Sequence, residues 1–259
     1  MKIKPLIILL PVLVIFCALF LVEGRINETN SQKANANISN EYSRTINLKL
    51  VIGKVEDPNG ITGVTIHSQC DDNAQSLGEL QYNCCVMADS KEASDGWLTV
   101  QVPRSPGDDT IGYVRDDNVE TDTLNIKCTS KKQYGVIRDA ISYIGLDFIK
   151  YGKSLESGVD CSNFINQIFA GNDMKIPTTP NNIRDAAKPI ETRDGKAGDI
   201  VYYNVNDGDG HVGIYLGSGY QINSSGHSGR NYPEGGVRIT RIKYWDREEP
   251  EIYRLAVMD

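Results

Sequence analysis

The sequence is poor in the residues and spacings from which metal and nucleic-acid sites are built. It has three histidines and six cysteines among 259 residues, and no CxxC or His–Cys spacing of the kind that binds zinc. Lysine and arginine number 27 against 34 aspartates and glutamates, a net charge of -7, and the basic residues do not cluster. Such an acidic chain argues against a nucleic-acid partner. We therefore expect no nucleic acid, no metal and no cofactor.

A calcium loop is also not indicated. Residues 204–210 are rich in glycine and aspartate, but they lack the spaced carboxylates and the closing glutamate of such a loop. A hairpin turn is the better interpretation of this stretch.

Long apolar runs are absent except at the N-terminus. Residues 5–22 are apolar and follow Lys2 and Lys4, as in a secretion signal. Val22 and Gly24 occupy the small-residue positions before a possible cleavage at Arg25. We therefore expect residues 1–24 to be a signal peptide and the protein to be secreted. The run is at the lower length limit for a membrane span, so an uncleaved anchor is the alternative, and only then do we expect membrane contact.

The cysteines suit an oxidising compartment. One of the six lies inside the predicted signal, and four of the others lie together upstream of Cys161: Cys70, Cys84, Cys85 and Cys128. We expect these four to form two disulfides, with a connectivity that the sequence leaves open, and Cys161 to stay free.

The chain divides into two regions of different pattern. Residues 25–45 are polar and predict a linker. Residues 46–120 contain short alternating runs separated by turn residues, a pattern typical of a small all-β barrel. Residues 121–132 are polar and predict a second linker. Residues 133–259 contain helical stripes followed by strand-like runs, which predicts an α+β domain with N-terminal helices and an antiparallel sheet.

One stretch of the second region, residues 158–169, predicts a nucleophile. A helical apolar stripe follows Cys161, formed by Phe164, Ile165, Ile168 and Phe169. Asp160 and Ser162 are favoured N-cap residue types, so we expect the helix to start beside the thiol. The positive end of a helix favours thiolate over thiol.

A cysteine nucleophile needs a base and a group that orients the base. His67 belongs to the other region, whereas His211 opens a strand-like run after the predicted turn. Asn223 lies on the next predicted strand, where its side-chain oxygen could accept a hydrogen bond from the imidazole. His227 is the rival orienting residue, in a loop rich in serine and glycine.

Three ordered motifs resemble those of the NlpC-type cell-wall peptidases, which have a papain-like fold. Residues 158–162 resemble the nucleophile motif GfDCSG, residues 196–203 resemble kpGDLvff, and residues 211–217 resemble HVGIYlG. Residues 222–225 match iHas. The resemblance covers residues 133–259. It implies that Cys161 attacks a peptide carbonyl, that His211 moves the proton, and that Asn223 holds the imidazole.

The resemblance also implies a substrate. The family cleaves the bond between γ-D-glutamyl and the diamino acid of peptidoglycan stem peptides, so the expected partners are peptidoglycan or muropeptides. We expect a monomer, with Asp160, Ser162 and Tyr151 binding substrate. The sequence departs from the family at Ile149, where a tyrosine is common, and at Thr178, where an arginine is common. The third catalytic position is also more often histidine than asparagine.

The first region resembles a bacterial-type SH3 barrel. Residues 64–68, 76–80, 96–100 and 111–114 match its short motifs, with His67 in place of the usual arginine. We interpret Trp97 and Tyr113 as core residues. Two other functions stay open: an amidase of the CHAP type that cuts the muramoyl–L-alanine bond, and a wall-binding protein with an inactive site.

Overall fold

The computed structural model describes residues 42–54, 63–205, 209–226, 230–243 and 250–258. The predicted signal peptide, most of the first linker and His227 lie outside these residues. Within the described part, no helix combines the length and apolar character needed to cross a membrane.

Strands dominate the described residues, and three α-helices accompany them. The strands of the first region are β1 Arg44–Gly53, β2 Val64–His67, β3 Ser76–Leu80, β4 Cys84–Met87, β5 Trp97–Gln101, β6 Ile111–Arg115 and β7 Val119–Cys128. Those of the second are β8 Lys153–Ser154, β9 Gly158–Val159, β10 Ala187–Ile190, β11 Ile200–Val205, β12 Asp209–Gly217, β13 Tyr220–Ser225, β14 Gly236–Arg241 and β15 Glu251–Leu255. The helices are α1 Lys131–Ser142, α2 Cys161–Gly171 and α3 Pro180–Asp185.

A nine-stranded antiparallel sheet joins the two regions of the chain. Its order is β10-β15-β11-β12-β13-β14-β4-β1-β7. The junction is the pairing of β14 with β4, where Ile239 lies opposite Cys85 and Thr240 opposite Cys84. One hydrophobic cluster contains residues of both regions, from Ile46 to Met258. The two regions therefore share a sheet and a core.

The pairing of the first region does not confirm the predicted SH3-like barrel. The strands β3, β2, β6 and β5 form a four-stranded antiparallel sheet, while β1, β4 and β7 belong to the nine-stranded sheet. The short strands themselves lie where the alternating pattern predicts them. Trp97 is buried as expected, with the Arg115 guanidinium 4.3 Å from its ring centroid.

The second predicted linker is wrong over most of its length. Residues 121–128 belong to β7, which pairs with β1 from Gly53–Val119 to Arg44–Cys128. Leu124, Ile126 and Cys128 are buried, and the residues between them are exposed. Such alternation is the signature of a strand with one face on the core. β1 likewise includes Arg44 and Thr45, at the end of the first predicted linker.

The predicted disulfides are also not seen, since none of the five described cysteines is in a disulfide bond. Cys85 lies opposite Ile52 on β1, and Cys128 lies opposite Arg44 on the same strand. Eight residues of strand separate these positions by roughly 26 Å, far beyond the Cα separation of a disulfide. Two disulfides among the four would then require a bond between the neighbours Cys84 and Cys85.

The helix that begins at Cys161 is confirmed and packs on the sheet. Its buried stripe is the predicted one: Phe164, Ile165, Ile168 and Phe169. These side chains lie against β12 and β13, and α1 packs beside α2. Ser224 Oγ on β13 donates to the Val159 carbonyl at 2.8 Å. This bond fixes the chain immediately before Cys161 to the strand that carries Asn223.

Candidate active site

Cys161 is the first residue of α2, and Asp160 is its N-cap. The Asp160 backbone is extended, and Oδ1 accepts a hydrogen bond from the Asn163 backbone N–H at 2.8 Å. The carboxylate also accepts from Asn163 Nδ2 at 2.9 Å and from Ser162 Oγ at 3.1 Å. Asp160 therefore satisfies orphan donors of the first helical turn, as the sequence predicts.

His211 is the third residue of β12, where it lies opposite Tyr203 of β11. Their rings are 5.9 Å apart and tilted by 44°. Residues before this position complete the predicted hairpin, whose last described pair is Val205 with Asp209. The backbone of the next residue, Val212, lies close enough to the Cys161 thiol to act to lower its pKa. This contact brings the start of α2 next to the strand that carries His211.

A cleft of about 960 Å³ contains five of the six predicted site residues. Cys161, His211, Asp160, Ser162 and Tyr151 line it. The opposite wall is formed by residues 178–181 at the start of α3. Gly210 lets this wall approach β12, because a Cβ there would lie 2.6 Å from Tyr202 Cε2 and 2.9 Å from Pro180 Cβ.

Asn223, the sixth predicted residue, lies behind His211 and is buried. Its Nδ2 donates to Thr240 Oγ1 at 3.2 Å. Its interaction with the imidazole acts to raise the pKa of His211, against the larger, opposite effect of burial. Among the described residues, Oδ1 has no hydrogen-bond partner at normal distance and angle. We therefore infer that Oδ1 faces the ring at a longer or more tilted contact, which is common for catalytic hydrogen bonds without substrate.

Burial decides the protonation of the Cys161 and His211 pair. Desolvation raises the pKa of Cys161 to about 11, against the opposing effect of the Val212 backbone, and the Asp160 carboxylate adds to the increase. Desolvation lowers the pKa of His211 to about 4, against the opposing effect of the Asn223 contact. The N–H groups of Cys161 and Ser162 at the helix terminus act to lower the pKa of the thiol, as the sequence predicts, but desolvation outweighs them in the resting site. At neutral pH the pair is a thiol beside an uncharged imidazole, which can accept a proton.

Ile149 and Thr178, where the family commonly has tyrosine and arginine, differ in their relation to the cleft. Ile149 packs on Gly158, where a Cβ would lie 2.6 Å from the Ile149 side chain. Its neighbour Phe148 lines the cleft together with Tyr151, which is 74% exposed and has a φ of 63°. Thr178 lines the cleft directly. Phe148 and Tyr151, on either side of Ile149 in the sequence, thus supply the aromatic side chains of the cleft.

Sequence reasoning missed two groups of residues at this site. Lys150 and Lys153 line the cleft. Gln221, Thr240 and Tyr203 form a buried polar group with Asn223. A polar residue at every second position of β13, Gln221 and Asn223, was the available signal. The sequence contains no such signal for Thr240 and Tyr203, because the residues that contact them lie on other strands. In the described ranges, no group of three or more His, Cys, Asp or Glu could hold a metal ion.

Comparison with protein families matches residues 148–249 to the NlpC/P60 family. The matched segment contains Cys161, His211 and Asn223, so the predicted resemblance is confirmed for it. The segment is similar to NlpC/P60 domains over these residues.

Two curated relatives come from Bacillus subtilis (strain 168). The bifunctional muramidase/DL-endopeptidase CwlT is 29% identical over 157 residues, which are 58% of this chain and 44% of the relative. The gamma-D-glutamyl-L-lysine dipeptidyl-peptidase is 33% identical over 92 residues, 34% of this chain and 31% of the relative. The chain spans less than half the length of either relative.

Among solved structures, the P60 domain of antigen MAP1204 from M. avium subspecies paratuberculosis is 25% identical, with a TM-score of 0.41. The match covers 48% of this chain and 95% of that domain.

Proposed function

We propose that this chain is a secreted cysteine endopeptidase that cleaves the γ-D-glutamyl to diamino acid bond of peptidoglycan stem peptides, with the domain of residues 148–249 as its catalytic part. The observation that carries the proposal is the cleft itself, which Cys161 at the start of α2 and His211 on β12 both line. Relatives named as a DL-endopeptidase and a gamma-D-glutamyl-L-lysine dipeptidyl-peptidase support the choice of bond.

In the proposed reaction, His211 takes the thiol proton as the Cys161 sulfur attacks the scissile carbonyl carbon. The raised pKa of Cys161 makes this transfer necessary, because little thiolate exists at neutral pH. The imidazolium then gives its proton to the leaving amine of the diamino acid, which leaves an acyl-enzyme. Water, deprotonated by His211, hydrolyses the thioester and restores the thiol. Asn223 stabilises and orients the imidazolium.

Backbone donors at the start of α2 suit the oxyanion of this reaction. The N–H groups of Cys161 and Ser162 lie at the thiol, where they act to lower its pKa. Such groups can stabilise the negative charge that develops on the attacked carbonyl oxygen. Of the residues proposed to bind substrate, Asp160 already accepts three hydrogen bonds. Tyr151 has the most exposed side chain of the three and could meet the peptide directly.

The remaining parts of the proposal concern the whole protein. Secretion rests on the predicted signal sequence of residues 1–24. The monomeric state is a separate prediction from the sequence. We keep the SH3-like assignment of residues 46–120 as a proposal, with wall positioning or restriction of the cleft as its role.

Digestion of purified muropeptides that have a free L-alanine tests the reaction. Mass spectrometry should find an L-Ala-γ-D-Glu dipeptide with wild type and none with Cys161→Ala. Digested sacculi provide the second arm, in which release of intact stem peptides would instead establish the muramoyl–L-alanine amidase. A wild-type protein that binds sacculi but cleaves no stem peptide would overturn the proposal in favour of an inactive wall-binding protein.

A further inference from the structure

The polar group behind His211 forms a continuous hydrogen-bond chain across three strands. Tyr203 Oη donates to the Ile242 carbonyl at 2.6 Å, and Gln221 Nε2 donates to Tyr203 Oη at 2.7 Å. Gln221 Nε2 also donates to Thr240 Oγ1 at 3.2 Å, the same distance at which Asn223 Nδ2 donates to that oxygen. All four side chains are at most 2% exposed. Water therefore does not compete for these bonds.

The donor and acceptor roles in this hydrogen-bond chain are fixed from the Ile242 end as far as the Gln221 amide. A carbonyl oxygen can only accept, so the bond to Ile242 commits the Tyr203 proton. Burial raises the pKa of Tyr203, which keeps that proton on the phenol. The Tyr203 oxygen must then accept from Gln221, and this requires the nitrogen of the Gln221 amide at that place. Gln221 is thereby a donor to Thr240 as well.

Gly213 makes room for this arrangement. It lies on β12 between His211 and Tyr215, and a Cβ there would be 2.2 Å from Gln221 Oε1 and 3.3 Å from Asn223 Cβ. The missing side chain lets Gln221 reach Tyr203 and Thr240 beneath the imidazole.

We propose that Thr240 is a positioning residue: its Oγ1 accepts from Asn223 Nδ2, and it thereby holds the amide with Oδ1 toward His211 and selects the imidazole tautomer. An oxygen facing the ring requires a proton on the nearer ring nitrogen and leaves the other nitrogen able to accept the Cys161 proton. The reversed amide would present N–H to the ring and place the ring proton on the side of the thiol. His211 could then not act as a base.

The catalytic consequence rests on the proposed function, but the tautomer can be measured without any substrate. Long-range ¹H–¹⁵N spectra distinguish the two neutral imidazole tautomers. The chain has three histidines, so the set of signals that disappears in His211→Gln is the one that belongs to His211. We expect a single His211 tautomer in wild type and a second, well-populated one in Thr240→Val. Thr240→Ser keeps the hydroxyl and should restore the single tautomer.

A matched control is Thr99→Val, which removes another buried hydroxyl, one without a hydrogen-bond partner in the described part of the chain. Thr99 lies on β5 in the four-stranded sheet, so its loss should leave the His211 tautomer unchanged. If Thr240→Val does not fold, Tyr203→Phe breaks the chain one step earlier and should also allow the second tautomer.

In muropeptide cleavage, Thr240→Val should lower kcat roughly tenfold or more, with KM little changed. In a protein that already carries Asn223→Ala, adding Thr240→Val should have no further effect on kcat. A folded Thr240→Val with one unchanged His211 tautomer would overturn the inference, whatever the activity. Absence of cleavage in wild type would count against the proposed function and leave the tautomer result standing.

Discussion

Asp160 Oδ1 accepts a hydrogen bond from the backbone N–H of Asn163 at 2.8 Å, across the first turn of the helix that Cys161 begins. The same carboxylate raises the pKa of Cys161 by its negative charge. One side chain therefore stabilises the helix and opposes ionisation of the thiol, and the two effects can be separated.

Asp160→Asn keeps an N-cap residue but removes the charge. We expect a lower pKa of Cys161 and therefore faster alkylation by iodoacetamide at any pH below it, since the thiolate is the reacting species. Asp160→Ala should in addition lose about 1 kcal/mol of unfolding free energy, because the cap is lost. The pH dependence of the alkylation rate and urea unfolding measure the two effects. An unchanged alkylation profile in Asp160→Asn would show that the carboxylate does not act on the thiol.

His211 makes the stability of the protein depend on pH. Its pKa is about 4 in the folded protein and about 6.5 when unfolded, so below pH 6.5 the unfolded state binds the extra proton. Stability from this group is complete above pH 6.5 and is lost as the pH falls toward 4, by about 3 kcal/mol in total. His211→Gln lacks this pH-dependent contribution. Relative to the variant, the wild type should therefore lose that amount of unfolding free energy between pH 7 and pH 4, as measured by urea unfolding. A constant difference between them would contradict the buried neutral state.

Arg254 holds the end of the second region to the turn before β11. It contacts the nearly fully buried Asp199 twice, through Nε at 2.8 Å and Nη2 at 2.7 Å. Arg254→Leu should cost about 3 kcal/mol of unfolding free energy, because Asp199 keeps a buried charge without its partner. Arg254→Lys keeps the charge but loses the two-point geometry and should cost less. Arg193→Leu, at an exposed ion pair with Asp194, is the control and should change stability by less than about 1 kcal/mol.

The cleft has a charge opposite to that of the chain. Lys150 and Lys153 line it, and the carboxylate in the same lining, Asp160, is already hydrogen-bonded by its helix. We expect the double change of Lys150 and Lys153 to Gln to raise KM severalfold for stem peptides with free carboxylates, with kcat nearly unchanged. Added salt should weaken substrate binding by the wild type more than by the variant, because it screens this attraction. Lys188→Gln, exposed on β10, is the matched control. Equal salt dependence in both proteins would rule out a role for the lysines.

The sequence by itself determined the features that depend on near neighbours. The start of α2 at Cys161 follows from the Asp160 cap and the apolar stripe behind it, which are interactions within a few residues. The strands that carry His211 and Asn223 follow from local alternation, and the motif resemblance is confirmed for residues 148–249. The sequence motifs predict all six residues proposed for the site, and five of them line the cleft, although their roles stay predictions.

Only the tertiary structure decided what depends on distant parts of the chain. The pairing of β14 with β4 joins both regions in one sheet, and the pairing of β7 with β1 turns a predicted linker into a strand. The pairing of β1 with both β4 and β7 separates Cys128 from Cys85. The protonation of Cys161 and His211 follows from desolvation of the half-buried thiol and the buried imidazole by the folded chain, which outweighs the local effect of the helix terminus. Thr240 enters the site because strand pairing places it opposite Gln221, nineteen residues earlier.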